Sequence, residues 1–274
     1  MKIKYLGTAA AEGVPALFCE CEVCKKARQT KGKNIRSRSQ MLINDDLIID
    51  YPQDSFYHFV LNNIDISKIK NLIISHVHGD HFYPDDFEFF LKGYSTPISC
   101  LPFTVHGSVD LKKYVDIYLN NERNQGLKYQ QMDAYKTYNV GKYFVTPLKA
   151  IHGTEHPYIY IISDGIKTML YHHDSALLNN DTFEFLREKH FKFNLLSLDC
   201  NYGNDDISYP CHMNVKDVRT TVSKLKQYGL IDDNTKIVVN HFSHNGKDSL
   251  YEDMCKVVEN DGFIVSYDGL EIEF

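Results

Sequence analysis

The chain of 274 residues has no apolar run approaching the ~18 residues that a membrane-spanning helix needs. Its first residues, Met1-Lys2-Ile3-Lys4-Tyr5-Leu6-Gly7, enter strand-like alternation at once and lack the apolar core of a secretory leader, so the cytoplasm is the expected compartment. Positive charge is not in surplus. The 30 Lys and Arg face 36 Asp and Glu, a formal charge of -6, which argues against an extended nucleic-acid-binding surface. A small anionic substrate stays compatible with that balance, because bound cations can dominate the local field. No linker-like stretch, low-complexity tract or clear internal repeat interrupts the chain, so residues 1–274 read as one domain. Hydrophobic residues at 43% and charged residues at 24% give an ordinary globular balance and exclude a disordered chain.

What the chain does have is concentrated chemistry. Ser75-His76-Val77-His78-Gly79-Asp80-His81 puts three imidazoles and a carboxylate into positions 76–81. Asn71-Leu72-Ile73-Ile74 ahead of it reads as a buried strand, so the cluster sits where a strand ends. Alternate side chains of extended backbone share a face, which lets His76 and His78 address one ion. The turn at Gly79 then re-aims Asp80 and His81 toward a neighbouring point. One loop can thus serve two metals. Neutral imidazoles with an ionised carboxylate suit borderline divalent ions such as zinc, manganese or iron.

Further ligands are expected at other strand ends. His152 follows Lys149-Ala150-Ile151, Asp174 follows Met169-Leu170-Tyr171-His172-His173, and His241 follows Lys236-Ile237-Val238-Val239-Asn240. Each lies one to three residues beyond an apolar run, so all can converge on one edge of a sheet structure. Asp50 also stands just past a strand. His212, in Pro210-Cys211-His212-Met213, precedes a helix capped by Asn214 and sits on a loop able to overhang the metals. An imidazole titrating near neutrality suits protonation of a leaving oxygen there. His156, four residues beyond His152, is a looser candidate for reaching substrate. The roles of His172 and His173 stay open.

Seven cysteines is an odd number, and three crowd into Cys19-Glu20-Cys21-Glu22-Val23-Cys24, too close for ordinary pairing with one another. Metal binding or reduced thiols fit better. A closed tetrahedral zinc wants a fourth ligand, and His244, three residues beyond His241, offers it. Cys100, Cys200, Cys211 and Cys255 are scattered and read as buried core residues.

Between these motifs, strands are expected at 2–6, 40–43 with 47–50 across Asp45-Asp46, 71–74, 141–151, 158–162 with 167–171 across Asp164-Gly165, 193–198, 237–239 and a closing 262–267. Helices are expected at 54–62, 85–92, 109–121, 180–190, 214–228 and 250–259. The two halves share a layout.

The HxHxDH pattern resembles the signature of the metallo-β-lactamase superfamily, which implies an α+β, four-layer αββα sandwich with a dinuclear site at its edge. That resemblance implies His76, His78 and His152 at the first ion, Asp80, His81 and His241 at the second, and Asp174 bridging them. Asp50 matches an acidic position that supports the loop from behind. His173 departs from the small residue or glycine usual at its place. Leu6-Gly7-Thr8, Gly13-Val14-Pro15, the CxCxxC cluster, the Arg-Ser-rich approach to the second strand and the late HxxH together resemble the PhnP group of phosphoribosyl cyclic phosphodiesterases, over roughly residues 5 to 245. In that group the cysteine–histidine zinc is structural and the catalytic pair is often manganese. The histidine matching His212 is catalytic there and in the tRNase Z branch.

The resemblance therefore implies a hydrolase acting on small phosphodiesters, cyclic ones included. Its cofactors would be two divalent ions, zinc or manganese, and one structural zinc. Asp80 would orient the nucleophile and His212 would assist the leaving oxygen. Neither a membrane nor an extended nucleic acid is an expected partner, and the reading leaves room for a homodimer. The alternatives on the same fold are a non-hydrolytic PqqB-like protein of coenzyme biosynthesis, a tRNase Z-like nuclease and a lactonase. An intact ligand set and the absence of a long Gly/Pro-rich arm favour the small-diester enzyme.

Overall fold

The computed structural model of the protein describes residues 1–207 and 210–274. Two seven-stranded sheets face each other. The first sheet contains β1 (Lys2–Gly7), β2 (Gln40–Ile43), β3 (Leu47–Ile49), β4 (Asn71–Ile73), β5 (Phe103–Gly107), β6 (Leu127–Gln131) and, from the far end of the sequence, β14 (Glu271–Glu273). The second contains β7 (Tyr138–Val140), β8 (Tyr143–Lys149), β9 (Tyr158–Ser163), β10 (Thr168–His172), β11 (Leu195–Asp199), β12 (Lys236–Asn240) and β13 (Ile264–Val265).

Alternation along the strands builds the layers. In β9, Tyr158, Tyr160 and Ile162 enter the core between the sheets, while Ile159 and Ile161 enter the core outside the second sheet. In β3, Leu47 and Ile49 point between the sheets, and Ile48 points outward. Both faces of these strands are therefore buried, which is why they read as unbroken apolar runs. The outer core of the second sheet is covered by α4 (Asn180–Glu188) through Phe183 and Leu186, by α5 (Val215–Gln227) through Val218 and Leu225, and by α6 (Tyr251–Val257) through Met254. The first sheet is covered by α2 (Ser55–Leu61), through Phe59, and by α3 (Lys112–Leu119), through Val115. The result is the expected αββα order.

Several elements differ from expectation. Pro84–Phe90 is a 3-10 helix rather than an α-helix, with Phe87 and Phe90, three residues apart, both turned into the core beneath it, the spacing that a 3-10 turn eclipses. Val109–Leu111 is likewise a 3-10 turn that leads into α3. Within 262–267 only Ile264–Val265 pairs as a strand. The first sheet is closed instead by Glu271–Glu273, antiparallel to β1. The Gln40–Ile43/Leu47–Ile49 hairpin forms as expected, with Asn44 and Asp45 in the left-handed region that tight hairpin loops demand. α1 (Glu22–Thr30), which starts inside the cysteine cluster, was not foreseen.

Candidate metal centre

The parallel strands β10, β11 and β12 end side by side and release Asp174, Asp199 and His241 along one edge. Across the sandwich, β3 and β4 run parallel and release Asp50 and the 75–81 loop at the same edge. Asp50, Asp174 and His241 all have positive φ, at 64°, 51° and 64°. For non-glycine residues this conformation is costly, and these three strand ends adopt it at the edge where the site lies.

The seven sequence-expected ligands meet. His78 Nδ1 lies 3.0 Å from His76 Nε2 and 3.1 Å from His152 Nε2. Beside them, Asp174 Oδ2 contacts His81 Nε2 and lies 3.1 Å from His241 Nε2, and Asp80 Oδ2 stands 3.3 Å from His81 Nε2. The other oxygen of Asp174 faces back, 3.5 Å from His152 Nε2. Asp174 thus stands between two groups of imidazoles. His81 Nε2, His241 Nε2 and Asp174 Oδ2 are fully buried, and the carboxylate oxygen touches both nitrogens, yet none makes a directed hydrogen bond. Buried polar atoms of native proteins are otherwise paired. A nitrogen- and carboxylate-rich set gathered in one cleft is what a divalent cation satisfies, so the residues fit divalent-metal binding.

Protonation tendencies agree with that chemistry. Burial, reinforced by the neighbouring His81, holds His76 neutral, the form that ligates. Burial alone would raise the Asp80 and Asp174 carboxyls; the adjacent imidazoles override it and hold both well below the usual carboxylate range. His81 is driven the other way: Asp174, Asp50 and Asp80 outweigh its burial and favour the protonated ring. A cation would take the place of that proton.

The support behind the loop is explicit. Asp50 Oδ2 accepts from His81 Nδ1 at 2.7 Å, and Asp50 Oδ1 accepts the Ser75 amide at 2.7 Å. Tyr171 donates its hydroxyl to the same Asp50 Oδ2 at 2.8 Å. His81 is thereby fixed in the tautomer that leaves Nε2 facing the centre.

His212 overhangs the cleft, with its ring 5.0 Å from that of His152 and 5.6 Å from that of His241. Its Nδ1 lies 3.0 Å from Asp199 Oδ2, a partner that sequence reasoning did not single out. Asp199 Oδ1 is itself held by the amides of Asn201 and Met213. The one signal for Asp199 was its place at the end of Leu195-Leu196-Ser197-Leu198. Burial disfavours a charged His212, but Asp199 outweighs it and pushes the imidazole up to about 9.

The cleft, about 260 Å³, is walled by Ala10, Ala11 and Glu12 on one side and by Asn201, Tyr202, Ser243 and Asn245 on the other. His156 is not part of it. Its ring and amide are taken by Asp110, at 2.8 and 2.9 Å. His172 and His173 do not enter it either: both are buried, His172 Nε2 toward the Ala176 carbonyl and His173 Nε2 against Ser197 Oγ.

Cys19, Cys21, Cys24 and His244 bring their ligand atoms within 4.8 Å of one another. Cys21 Sγ caps α1 by accepting the Cys24 amide and lies 3.6 Å from His244 Nδ1. The Cys21 thiol, despite burial, is pulled down to about 6 by the Cys24 amide, His244 and Cys19, whereas burial pushes Cys24 up to about 12. Cys100 and Cys200 are buried as expected. Cys211 and Cys255 are only half-buried, Cys211 beside His152 and His212 and Cys255 against the outer core of the second sheet.

Residues 52–241 match the model of the beta-lactamase superfamily domain. No match was found among curated proteins. Among solved structures, a diphosphatase from the PhnP family superposes with a TM-score of 0.74 at 18% identity, covering 100% of this chain and 96% of that one. Zinc-bound PqqB from Methylobacterium extorquens gives 0.69 at 16%, with 100% of both chains covered. The short form of human tRNase Z gives 0.65 at 13%, covering 100% and 99%. These identities speak for the fold. With the profile spanning the metal loop through His241, the chain belongs to the beta-lactamase superfamily and has its metallo-β-lactamase fold.

Proposed function

We propose that the protein is a cytoplasmic, metal-dependent phosphodiesterase that hydrolyses small phosphodiesters, cyclic ones included, at a dinuclear site. The observation that carries this reading is Asp174, whose two oxygens face the His81/His241 group and His152 respectively. His76, His78 and His152 would hold one zinc or manganese ion; Asp80, His81 and His241 would hold the second, with Asp174 bridging. When bound, the two ions would lower the pKa of a water and polarise the phosphoryl oxygens.

The chain's own residues supply the rest. Asp80, at the cleft wall, would orient the nucleophile besides ligating. With His212 Nδ1 held by Asp199, Nε2 is left to protonate the departing oxygen, and the carboxylate keeps the ring charged for that task. The narrow cleft suits a small substrate rather than a polymer. Cys19, Cys21, Cys24 and His244 would hold a structural zinc.

Metal analysis of purified protein, combined with assays on bis(p-nitrophenyl) phosphate, 2′,3′-cyclic nucleotides, lactones and thioesters, tests the reading. Phosphodiesters should turn over fastest, and His212→Ala should lower their turnover by ~10²-fold or more with metal content unchanged. Faster lactone or thioester hydrolysis would overturn the assignment, and undiminished activity in the variant would remove the role of His212.

A further inference from the structure

A second cavity, about 290 Å³, opens on the outer face of the first sheet, away from the metal cleft. It is at the low end of the ~300–1,000 Å³ usual for small-molecule sites. Its floor reaches Ile48 and Leu72, and its walls are largely aromatic. The Tyr51 ring stands 5.7 Å from Phe87 and 6.2 Å from Phe59, and Phe87 stands 6.2 Å from Phe90. At the mouth, Phe89 remains 52% exposed. Among the described lining residues Asp86 alone is charged, and the Tyr51 hydroxyl donates to its Oδ2 at 3.3 Å.

An aromatic enclosure with a single carboxylate has a defined complement. A metal ion would need several oxygen ligands, which this wall does not provide. A wholly neutral apolar ligand would gain nothing from Asp86. An alkylated ammonium presents methyl groups to the aromatic faces and spreads its positive charge over them, with the carboxylate as counter-ion. We infer that this cavity is a binding site for a small organic cation with an alkylated ammonium head, recognised by the aromatic walls together with Asp86. Partial desolvation of Asp86 raises its carboxyl above the ordinary value, so a positive charge beside it would be favoured.

The site is separate from the catalytic reading but fastened to the metal loop, since the Tyr51 amide donates to the His81 carbonyl at 2.7 Å. Binding must therefore be read directly and not through activity. Calorimetric titration of the metal-loaded protein with choline and with its neutral carbon isostere 3,3-dimethyl-1-butanol makes the comparison at constant shape. Choline should bind at least ~10-fold more tightly, and Asp86→Asn should abolish that preference while leaving the alcohol's affinity unchanged. Equal affinities in the wild type, or no binding of either probe, would overturn the inference whatever the variant does. A choline preference that survives Asp86→Asn would place the cation elsewhere and overturn it as well.

Discussion

Asp199 shows how much a single carboxylate can set at this site. Its Oδ2 accepts the Asp174 amide at 3.0 Å and lies 3.0 Å from His212 Nδ1, so it holds the ring whose other nitrogen faces the cleft. Asp199→Asn keeps the shape and a hydrogen-bonding group but removes the charge that raises His212. A general acid works while protonated, so activity is lost as pH rises through its pKa, and lowering that pKa moves the loss to lower pH. The expected result is an alkaline limb of the kcat profile displaced toward neutrality, with metal content intact and recovery in Asp199→Glu. An unmoved limb would deny Asp199 this positioning role. At this scale the proposed metal ligands were legible because each histidine or aspartate trails an apolar run, and strand ends of neighbouring strands meet in space. Asp199 was not, since one carboxylate at the end of one strand carries no mark of its partner. His156 misled for the same reason: its proximity to His152 in sequence was visible, while Asp110, 46 residues away, was not.

At the scale of elements, the cysteine cluster does two jobs. Cys21 is a candidate zinc ligand and also the N-cap of α1, its sulfur accepting the Cys24 amide. Cys21→Ser separates them, because serine is a good N-cap but a poor zinc ligand. The variant should lose one zinc per chain and melt at lower temperature, as structural zinc binding is coupled to folding. Wild-type zinc content and Tm would show that the cap was the cluster's whole contribution. α1 itself escaped sequence reading because the thiol spacing dominated its first turn. β6 escaped because Leu127-Lys128-Tyr129-Gln130-Gln131 is a largely polar edge strand, and β14 because Glu271-Ile272-Glu273 offers one apolar residue to recognise. Buried strands such as β9 and β12 announced themselves, although the interior β5 (Phe103–Gly107) did not; the edges β6 and β14, which need little apolar content, also escaped.

Over the whole molecule, the two sheets are joined by polar ties as well as by their shared core. Three fully buried tyrosines cross the sandwich: Tyr5 of the first sheet bonds Ser197 Oγ at 2.7 Å, Tyr160 of the second donates to the Ile74 carbonyl at 2.6 Å, and Tyr171 donates to Asp50 Oδ2. Two of the three end beside the metal loop, so packing of the halves and shaping of the site are one problem. The four-layer order was implied by the resemblance that the HxHxDH motif carries, but these ties could not be read, because tyrosine in a strand looks like any aromatic core residue until its partner sheet is known. Tyr160→Phe and Tyr171→Phe discriminate the consequences. Each leaves a buried acceptor one donor short and should cost about 1–3 kcal/mol of stability in denaturant unfolding. Tyr160 ends on a backbone carbonyl, so its variant should retain metal normally. Tyr171 ends on the carboxylate that orients His81, so its variant should also bind the second ion ~10–100-fold more weakly in competition with a chelator. Equal metal affinity in the two variants would mean that Asp50 keeps His81 in place without help from the opposite sheet.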